Sequence, residues 1–268
     1  MKIIKLGILG DYLWSDYFVK SLTYSNKFKV VLICHSQKKN IKTYFEKYKK
    51  NHIYNVSICP FTEHNYNFLK LIKKYRVDVI LSVAFSTIIS KKMLNKLNIP
   101  ILNIHPSYLP NWRGPDPIRR QILNGDNVYG ITLHQLISKI DSGNIIFQKQ
   151  IVIDQIKSIE QVLYLLYFKN IKQIINKLYV YMVGIKKIKK QEGLVSYAPF
   201  VKKSELIISE EDTVKLATAK AILSKNIGKI EICSKGRIFV FKDFNDIREE
   251  SKNYHKFDLL DGKIFLDK

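Results

Sequence analysis

The sequence is poor in cysteine. Three cysteines occur among its 268 residues, Cys34, Cys59 and Cys233, and no two of them form a CxxC pair. A disulfide scaffold or a cysteine-based zinc site needs more thiols at closer spacing. The chain is therefore expected to fold in a reducing compartment, and a cytoplasmic location fits this composition.

Long hydrophobic runs are also missing. The first apolar segment, residues 3–9, reaches Gly10 and Asp11 after a few positions. A membrane span needs about 20 apolar residues, and a signal peptide needs an apolar region of roughly 7–15. We therefore expect no membrane contact. The 46% hydrophobic content supports a real core, and the length suits one α/β domain of about 180–200 residues with a smaller module.

Acidic residues are scarce relative to basic ones. The chain has 45 Lys and Arg against 23 Asp and Glu, a formal net charge of +22. Such an excess suggests an anionic partner, either nucleic acid, a membrane surface or a phosphorylated small molecule. The lysines are scattered in pairs, however, such as Lys38-Lys39 and Lys73-Lys74, which is at least as typical of solvated helix faces. Charge alone leaves both interpretations open.

The first half of the chain alternates short runs rich in Ile and Val with longer amphipathic segments. This alternation predicts βαβ units and a mostly parallel sheet buried on both faces, which is the α/β class. The predicted strands are residues 3–9, 29–33, 56–58, 77–83 and 100–104, and the predicted helices are residues 16–25, 41–50, 65–75 and 91–97.

The second half predicts two further strands, 129–136 and 144–153, and then a long helix over 158–181. Beyond Tyr197-Ala198-Pro199 the composition changes. Residues 209–225 predict a helix with Ser209 as its N-cap, and residues 229–233 and 237–241 predict a hairpin. We therefore predict a first domain over residues 1–190 and a small β-rich C-terminal module over residues 191–268.

Three polar residues between positions 102 and 143 carry a possible chemistry. Asn103 and His105 are two residues apart at the end of a predicted strand, so their side chains share a face. Asp141 lies in the turn-like sequence Asp141-Ser142-Gly143. An amide can donate to an oxyanion, an imidazole can donate or shuttle a proton near neutral pH, and a carboxylate can orient that imidazole. Acyl transfer to an amine needs these groups, although each motif alone is typical of a loop or turn.

The order and spacing of four motifs resemble the folate-dependent formyltransferase family, which includes glycinamide ribonucleotide, methionyl-tRNA and amino-sugar-nucleotide formyltransferases. The motifs are LNIHPSYLP at residues 102–110, WRGP at 112–115, GITLH at 130–134 and IDSGNII at 140–146. The resemblance covers about residues 1–190 as a Rossmann-like catalytic domain. It implies N10-formyltetrahydrofolate as formyl donor and Asn103, His105 and Asp141 as catalytic residues.

Two positions depart from the family pattern. Ser142 stands where Thr or Ala is usual, which is a conservative change. The first turn, residues 7–12, lacks a complete GxGxxG, which argues against NAD binding. His35, His52, His64 and His255 show no ligand spacing, so no metal is expected.

The resemblance also implies the residues that bind the two substrates. Those expected at the folate are Phe85, Ser86, Thr87, Ile89, Leu102, Leu136 and Ile140, and those expected at the acceptor are Trp14, Pro110, Arg113, Gly114 and His134. Arg113 suits phosphate recognition because of its guanidinium fork. Trp14 or Tyr12 could stack on a base, and His134 could equally be a half-buried strand residue. Arg119 and Arg120 are expected to be surface charges.

Three functions remain open. The first is N-formylation of a nucleotide-linked (dTDP-type) amino sugar for surface polysaccharide and lipopolysaccharide biosynthesis, favoured by His134, Pro115-Asp116-Pro117 and the short C-terminal module; such an enzyme is expected to be a homodimer. The second is methionyl-tRNA formylation, favoured by the net charge, Trp112-Arg113-Gly114 and Tyr197-Ala198-Pro199. The third is a non-catalytic nucleic-acid-binding module on the same fold. A nucleic-acid partner is expected only for the last two.

Overall fold

A computed structural model describes residues 2–11, 13–36, 57–61, 66–185, 188–225, 228–241 and 254–267. The predicted helix over residues 41–50, and the residues Tyr12, His52 and His64, lie outside these described residues. The side chain of His255 lies outside the described set as well.

A mostly parallel β-sheet organises the first part of the chain. Its strands are β1 (Ile4–Gly10), β2 (Phe28–His35), β3 (Ser57–Pro60), β4 (Val79–Val83), β5 (Ile101–His105), β6 (Val128–Gln135) and β7 (Ile145–Val152). Within the described residues the sheet has seven strands in the order β3-β2-β1-β4-β5-β6-β7. Strands β1 to β5 pair in parallel, whereas β6 runs antiparallel to β5. The predicted α/β class is confirmed.

Helices flank the sheet and pack on it through an apolar core. The helices are α1 (Leu13–Thr23), α2 (Tyr66–Tyr75), α3 (Lys91–Lys96), α4 (Pro117–Leu123), α5 (Ile159–Leu163), α6 (Ile171–Met182) and α7 (Val214–Ser224). Leu32 of β2 and Ile80 of β4 pack in the same cluster as Phe68 of α2 and Met93 of α3. All five residues of β4 are buried, as expected for a parallel strand with both faces covered. Among the described helices, none has the length and apolar character to cross a membrane.

The single long helix predicted over residues 158–181 is wrong. The segment forms α5, a π-helical turn over Tyr164–Phe168, and then α6. Asn170 explains the break: its buried Nδ2 donates to the carbonyls of Leu165 and Leu166 at 3.2 and 2.8 Å. The side chain thus takes the carbonyls that a continuous helix would bond to its next turn.

The β-rich character of the C-terminal region is confirmed. It contains β8 (Ile208–Ser209), β9 (Ile230–Ser234), β10 (Arg237–Phe241), β11 (Tyr254–Leu259) and β12 (Gly262–Asp267). The predicted hairpin is present as the antiparallel pair β9 and β10. The predicted N-cap is wrong, because Ser209 pairs with Cys233 inside a sheet. Helix α7 is instead capped by Thr213, whose hydroxyl accepts from the Leu216 N–H at 3.2 Å.

The chain divides into two compact units. The first comprises Met1–Gly114, Gly130–Ile151 and Tyr164–Ser196, and the second comprises Pro115–Tyr129, Val152–Leu163 and Tyr197–Lys268. All the predicted site residues belong to the first unit. The functional division at residue 190 stays a prediction.

Arg120 corrects one expectation within the second unit. Its guanidinium binds both carboxylate oxygens of Glu205, at 2.6 and 3.1 Å, and also donates to the carbonyls of Pro199 and Phe200 at 2.9 Å. Hydrogen bonds from Arg120 lower the pKa of Glu205 to about 2. Arg120 is therefore a partnered, mostly buried residue, whereas Arg119 is half-exposed beside Asp116.

Candidate active site

The end of β5 places Asn103 and His105 beside β6. In the register of the antiparallel pair, Asn103 lies opposite His134 and His105 lies opposite Thr132. Asp141 follows in the loop between β6 and β7. Because β6 is antiparallel to β5, this loop leaves Gln135 beside the start of β5 and turns back, so that Asp141 lies beside Asn103 and His105 at the sheet edge where β5 ends. Open α/β sheets commonly bind their ligands at this edge.

The Asp141 carboxylate is the centre of the cluster. Its Oδ1 lies 3.4 Å from Asn103 Nδ2 and 3.5 Å from His134 Nε2. Its Oδ2 accepts the Gly114 N–H at 2.9 Å and lies 3.6 Å from His105 Nδ1. The structure therefore brings the three predicted catalytic residues together, and it adds His134 and Gly114 to them.

Hydrogen bonds to backbone carbonyls determine which ring nitrogen carries a hydrogen in His105 and in His134. His105 Nε2 lies 2.8 Å from the Trp112 carbonyl, and His134 Nδ1 lies 2.9 Å from the Gln135 carbonyl. Because a carbonyl only accepts, each of these ring nitrogens carries a hydrogen. While His134 is neutral its Nε2 accepts from Asn103 Nδ2 at 3.2 Å, and when His134 is protonated the same nitrogen donates to Asp141 Oδ1 at 3.5 Å. The first of these contacts turns the NH2 end of the Asn103 amide toward Asp141.

Burial and charge set the protonation of the cluster at neutral pH. Burial lowers the pKa of His105, and the nearby Asp141 carboxylate opposes this only in part. Burial alone would raise the pKa of Asp141, but His105, His134 and the Gly114 N–H together bring it well below its usual value. Asp141 is thus ionised and His105 is neutral, so His105 can take up a proton beside a carboxylate.

Two glycines permit the backbone approaches that build the site. A Cβ on Gly143 would lie 1.8 Å from the Gln135 carbonyl oxygen, and a Cβ on Gly130 would lie 2.3 Å from the Tyr108 backbone nitrogen. Both neighbours are backbone atoms that cannot rotate away. Glycine is therefore required at these positions for close packing of the β6–β7 loop and of the loop after β5.

Replacing Gly143 with alanine is expected to lower the free energy of unfolding by about 1–3 kcal/mol, because the new Cβ overpacks against backbone. Chemical denaturation of wild type and variant measures the change. Gly7→Ala is the matched control, since the nearest atom to its Cβ would be a side-chain atom, Val77 Cγ1 at 3.3 Å, which has to shift only by a few tenths of an ångström. An equal effect of the two substitutions would contradict the steric argument.

The residues expected at the folate are only partly assembled. Ile89 belongs to the main apolar cluster, and Phe85 and Leu136 pack against it. Ile140, beside Asp141, is 53% exposed. Leu102 is fully enclosed within the sheet, and Thr87 is half-buried. Of these side chains, Ile140 offers exposed apolar surface next to Asp141 in the chain, as a flat aromatic ligand with polar edges would require.

The loop after β4 is anchored by Asp11, a residue that was not anticipated as part of the site. Asp11 is buried and accepts from the Ser36 N–H at 2.6 Å and from the Ser86 N–H and hydroxyl at 2.7 and 2.5 Å. It ties together the ends of β1, β2 and β4. An aspartate directly after a buried strand was the available signal in the sequence.

The residues expected at the acceptor lie in different environments. Gly114 and His134 contact Asp141, as described above. Trp14 stacks on the buried Tyr167 ring at 5.9 Å, and Pro110 is buried. Arg113 is 6% exposed, and its Nε and Nη2 donate to Gln191 Oε1 at 3.1 and 2.6 Å.

Gln191 is a second residue that sequence analysis missed. Its amide contacts the backbone on both sides of Ser142. Nothing in the surrounding sequence marks it, because it follows a basic surface segment. Among the described residues, no group of three or more His, Cys, Asp or Glu side chains is arranged to hold a metal ion.

Comparisons with known proteins point to one family. Residues 14–178 match the family model described as formyl transferase. Over 141 residues the chain is 32% identical to the methionyl-tRNA formyltransferase of Thermotoga maritima, covering 52% of this chain and 45% of that protein. The chain spans about half the length of the methionyl-tRNA formyltransferases that it matches.

Two solved sugar N-formyltransferases share the fold over nearly their whole length. A sugar N-formyltransferase from a Shewanella species superposes with a TM-score of 0.70 at 16% identity, covering 92% of this chain and 99% of the other. WlaRD, a sugar 3-N-formyltransferase crystallised in the presence of dTDP and 5-N-formyl-tetrahydrofolate, superposes with a TM-score of 0.68 at 21% identity, covering 100% and 98%. At these identities the likeness establishes the fold.

Proposed function

The chain belongs to the formyl transferase family, and from this we propose that it transfers the formyl group of N10-formyltetrahydrofolate to an amine. The observation that carries the proposal is the meeting of Asn103, His105 and Asp141 at one edge of the sheet, with a neutral His105 facing an ionised Asp141. An amide donor, a base and a carboxylate are the groups that acyl transfer to an amine uses.

In the proposed mechanism the bound folate supplies a formyl carbonyl that an amine can attack. The Asn103 NH2 exchanges its long 3.4 Å contact with Asp141 for the oxyanion that develops on that carbonyl. His105 accepts the proton of the attacking amine at Nδ1, because Nε2–H is held by the Trp112 carbonyl. Asp141 then stabilises the imidazolium, which can return the proton to the leaving nitrogen.

For the acceptor, we propose a dTDP-linked amino sugar. Support comes from His134, which hydrogen-bonds Asn103 where the tRNA enzymes usually carry Met, and from sugar N-formyltransferases that share this fold over nearly their whole length. With this acceptor, we also propose that the enzyme is a cytoplasmic homodimer and that its product serves surface polysaccharide synthesis.

Methionyl-tRNA is the second candidate acceptor. It is favoured by the sequence match to methionyl-tRNA formyltransferases and by the net charge of +22. The second unit also has an open cavity of about 1010 Å³, whose lining includes four lysines against two aspartates, namely Lys157, Lys215, Lys225 and Lys263 with Asp126 and Asp154. Lysines around a cavity attract polyanions.

A thermal-shift screen distinguishes the two acceptors. With a folate analogue present, a saturating dTDP-amino sugar at about 100 times Kd is expected to stabilise the protein by about 2.7 kcal/mol. GDP- and UDP-amino sugars and initiator Met-tRNA are the comparison arms.

The salt dependence of activity is a second test. Activity on tRNA should fall about 10³-fold or more between 50 and 200 mM salt, whereas activity on a sugar nucleotide should not. Stabilisation by Met-tRNA alone would reverse the choice of acceptor.

The rate of formyl transfer is expected to rise with pH. His105 must be neutral to accept a proton, and its pKa lies below the ordinary 6.5. Its acidic limb should therefore fall below pH 6.5, and ionisation of the acceptor amine should add a second rise at higher pH. Measuring kcat across pH 4.5–9 tests this. A flat profile together with an active Asn103→Ala/His105→Ala double variant would exclude the mechanism.

A further inference from the structure

The loop that carries Asp141 requires support from outside itself. Asp141 has φ of +46°, a left-handed conformation that side-chain-bearing residues adopt at a cost. Within the loop, Ser142 N–H and Oγ bond the Lys139 carbonyl at 3.4 and 2.9 Å. These local bonds close a turn, but they do not direct the carboxylate toward His105.

Gln191 supplies backbone anchors on both sides of this turn. Its Nε2 donates to the Asp141 carbonyl and to the Gly143 carbonyl, each at 2.8 Å. One NH2 group has two hydrogens, so both are used on the two carbonyls that flank Ser142. The backbone of the loop is therefore held from one side chain, fifty residues further along the chain.

The other end of the Gln191 amide holds the second catalytic loop. Its Oε1 accepts from Arg113 Nε and Nη2, and Arg113 is almost fully buried. The residue after Arg113 donates its N–H to Asp141 Oδ2, and the residue before it offers its carbonyl to His105 Nε2. Gln191 thus joins the loop that carries the carboxylate to the loop that holds the imidazole.

The segment around Gln191 is itself fixed at both ends. Lys189 and Ile145 exchange backbone hydrogen bonds at 2.7 and 2.9 Å. The Ser196 carbonyl accepts from the Arg113 N–H at 2.9 Å, and its hydroxyl accepts from the Trp112 N–H at 2.8 Å. Because its backbone is anchored in this way, the Gln191 side chain can hold the two loops in one position and does not move with them.

We propose that Gln191, together with Arg113, is a positioning residue that holds the Asp141 carboxylate against His105. The inference rests on the proposed formyl transfer. An amide is needed here because it offers two donors to the carbonyls and an acceptor to the guanidinium at once. This assignment gives Arg113 a role at Gln191 in place of the phosphate contact expected from sequence.

Two substitutions separate the ends of the amide. Gln191→Met removes both at similar volume, whereas Gln191→Glu keeps an acceptor for Arg113 and loses the donors. Both are expected to lower kcat for formyl transfer by about 10²-fold through misplacement of the carboxylate, with KM for the formyl donor changed less than about threefold. Glu192→Gln, at the exposed neighbouring position, is the control and should match wild type.

Two readouts by NMR do not depend on turnover. The Gly114 amide should exchange with solvent at least about tenfold faster in both Gln191 variants, since local opening frees it from Asp141. The pKa of His105 should also fall. The charged or titratable side chains facing His105 are Asp141 and His134, and of these only Asp141 favours the protonated imidazole.

The outcomes are distinguishable. Wild-type exchange at Gly114 and unchanged kcat in the Gln191 variants would overturn the inference. Reduced activity with an unchanged His105 titration, a lower Tm and a raised KM would assign Gln191 a merely structural role and overturn it as well. If wild-type protein formylates no acceptor, the proposed function fails, while Gly114 exchange and the His105 titration still decide whether Gln191 positions Asp141.

Discussion

Replacing His105 with glutamine is expected to lower kcat for formyl transfer by about 10³-fold, because the site loses its base. Glutamine retains an N–H for the Trp112 carbonyl, which His105 Nε2 contacts at 2.8 Å, so the loop after β5 should keep its place. A glutamine amide has no basic nitrogen, so nothing replaces His105 Nδ1, which faces Asp141 and accepts the proton of the amine in the proposed mechanism. Steady-state kinetics with saturating formyl donor measure the effect.

The control for this variant is the protein's own stability. His105 is 4% exposed, so a loss of activity with a large fall in Tm would report misfolding rather than chemistry. His105→Gln with a Tm close to wild type and kcat reduced as expected identifies the base. Turnover within threefold of wild type would instead show that His105 is dispensable.

Asp141→Asn is expected to lower kcat by about 10²–10³-fold. The carboxylate accepts from the Gly114 N–H and faces the Asn103 NH2, so an amide of the same shape sets a donor against a donor. It also removes the charge that stabilises protonated His105. The pKa of His105, already lowered by burial, should therefore fall further, and the acidic limb of the rate profile should move to lower pH.

Asp116→Asn is a matched comparison for Asp141→Asn. Asp116 is another mostly buried aspartate, but it belongs to the second unit and accepts from the Val201 N–H at 3.1 Å. Its replacement should affect stability and leave the acidic limb of the rate profile in place. A shift of that limb in both variants, or in neither, would contradict the assignment of Asp141 as the partner of His105.

Strand positions could be predicted because their signal is local. The run Val77 to Val83 is apolar except for Asp78 and Ser82, and the structure buries every residue of Val79–Val83. Asn103 and His105 were expected on one face because side chains alternate along a strand. Their order relative to the Asp-Ser-Gly motif then pointed to the family, which the match over residues 14–178 confirms.

The predicted element boundaries were wrong where a backbone group is bonded by a residue that the hydrophobic pattern does not mark. Asn170 breaks the helix predicted over residues 158–181 by binding carbonyls of Leu165 and Leu166. Ser209 resembles an N-cap, but its strand pairing with Cys233 leaves that role to Thr213. Both outcomes depend on contacts that the hydrophobic pattern does not encode.

The alternation of strands and helices was readable from the chain because short-range periodicity and turn residues specify it. The roles of Asn103, His105 and Asp141 were implied by the resemblance of their motifs to the family. The sequence did not reveal the direction of the Asn103 amide or the tautomers of the two histidines. It also did not reveal the supporting hydrogen bonds of Gln191 and Asp11. They depend on carbonyls and carboxylates from distant segments, such as the Trp112, Asp141 and Gly143 carbonyls. Hydrogen bonds of this kind exist only after long-range packing has closed, so no local pattern carries them.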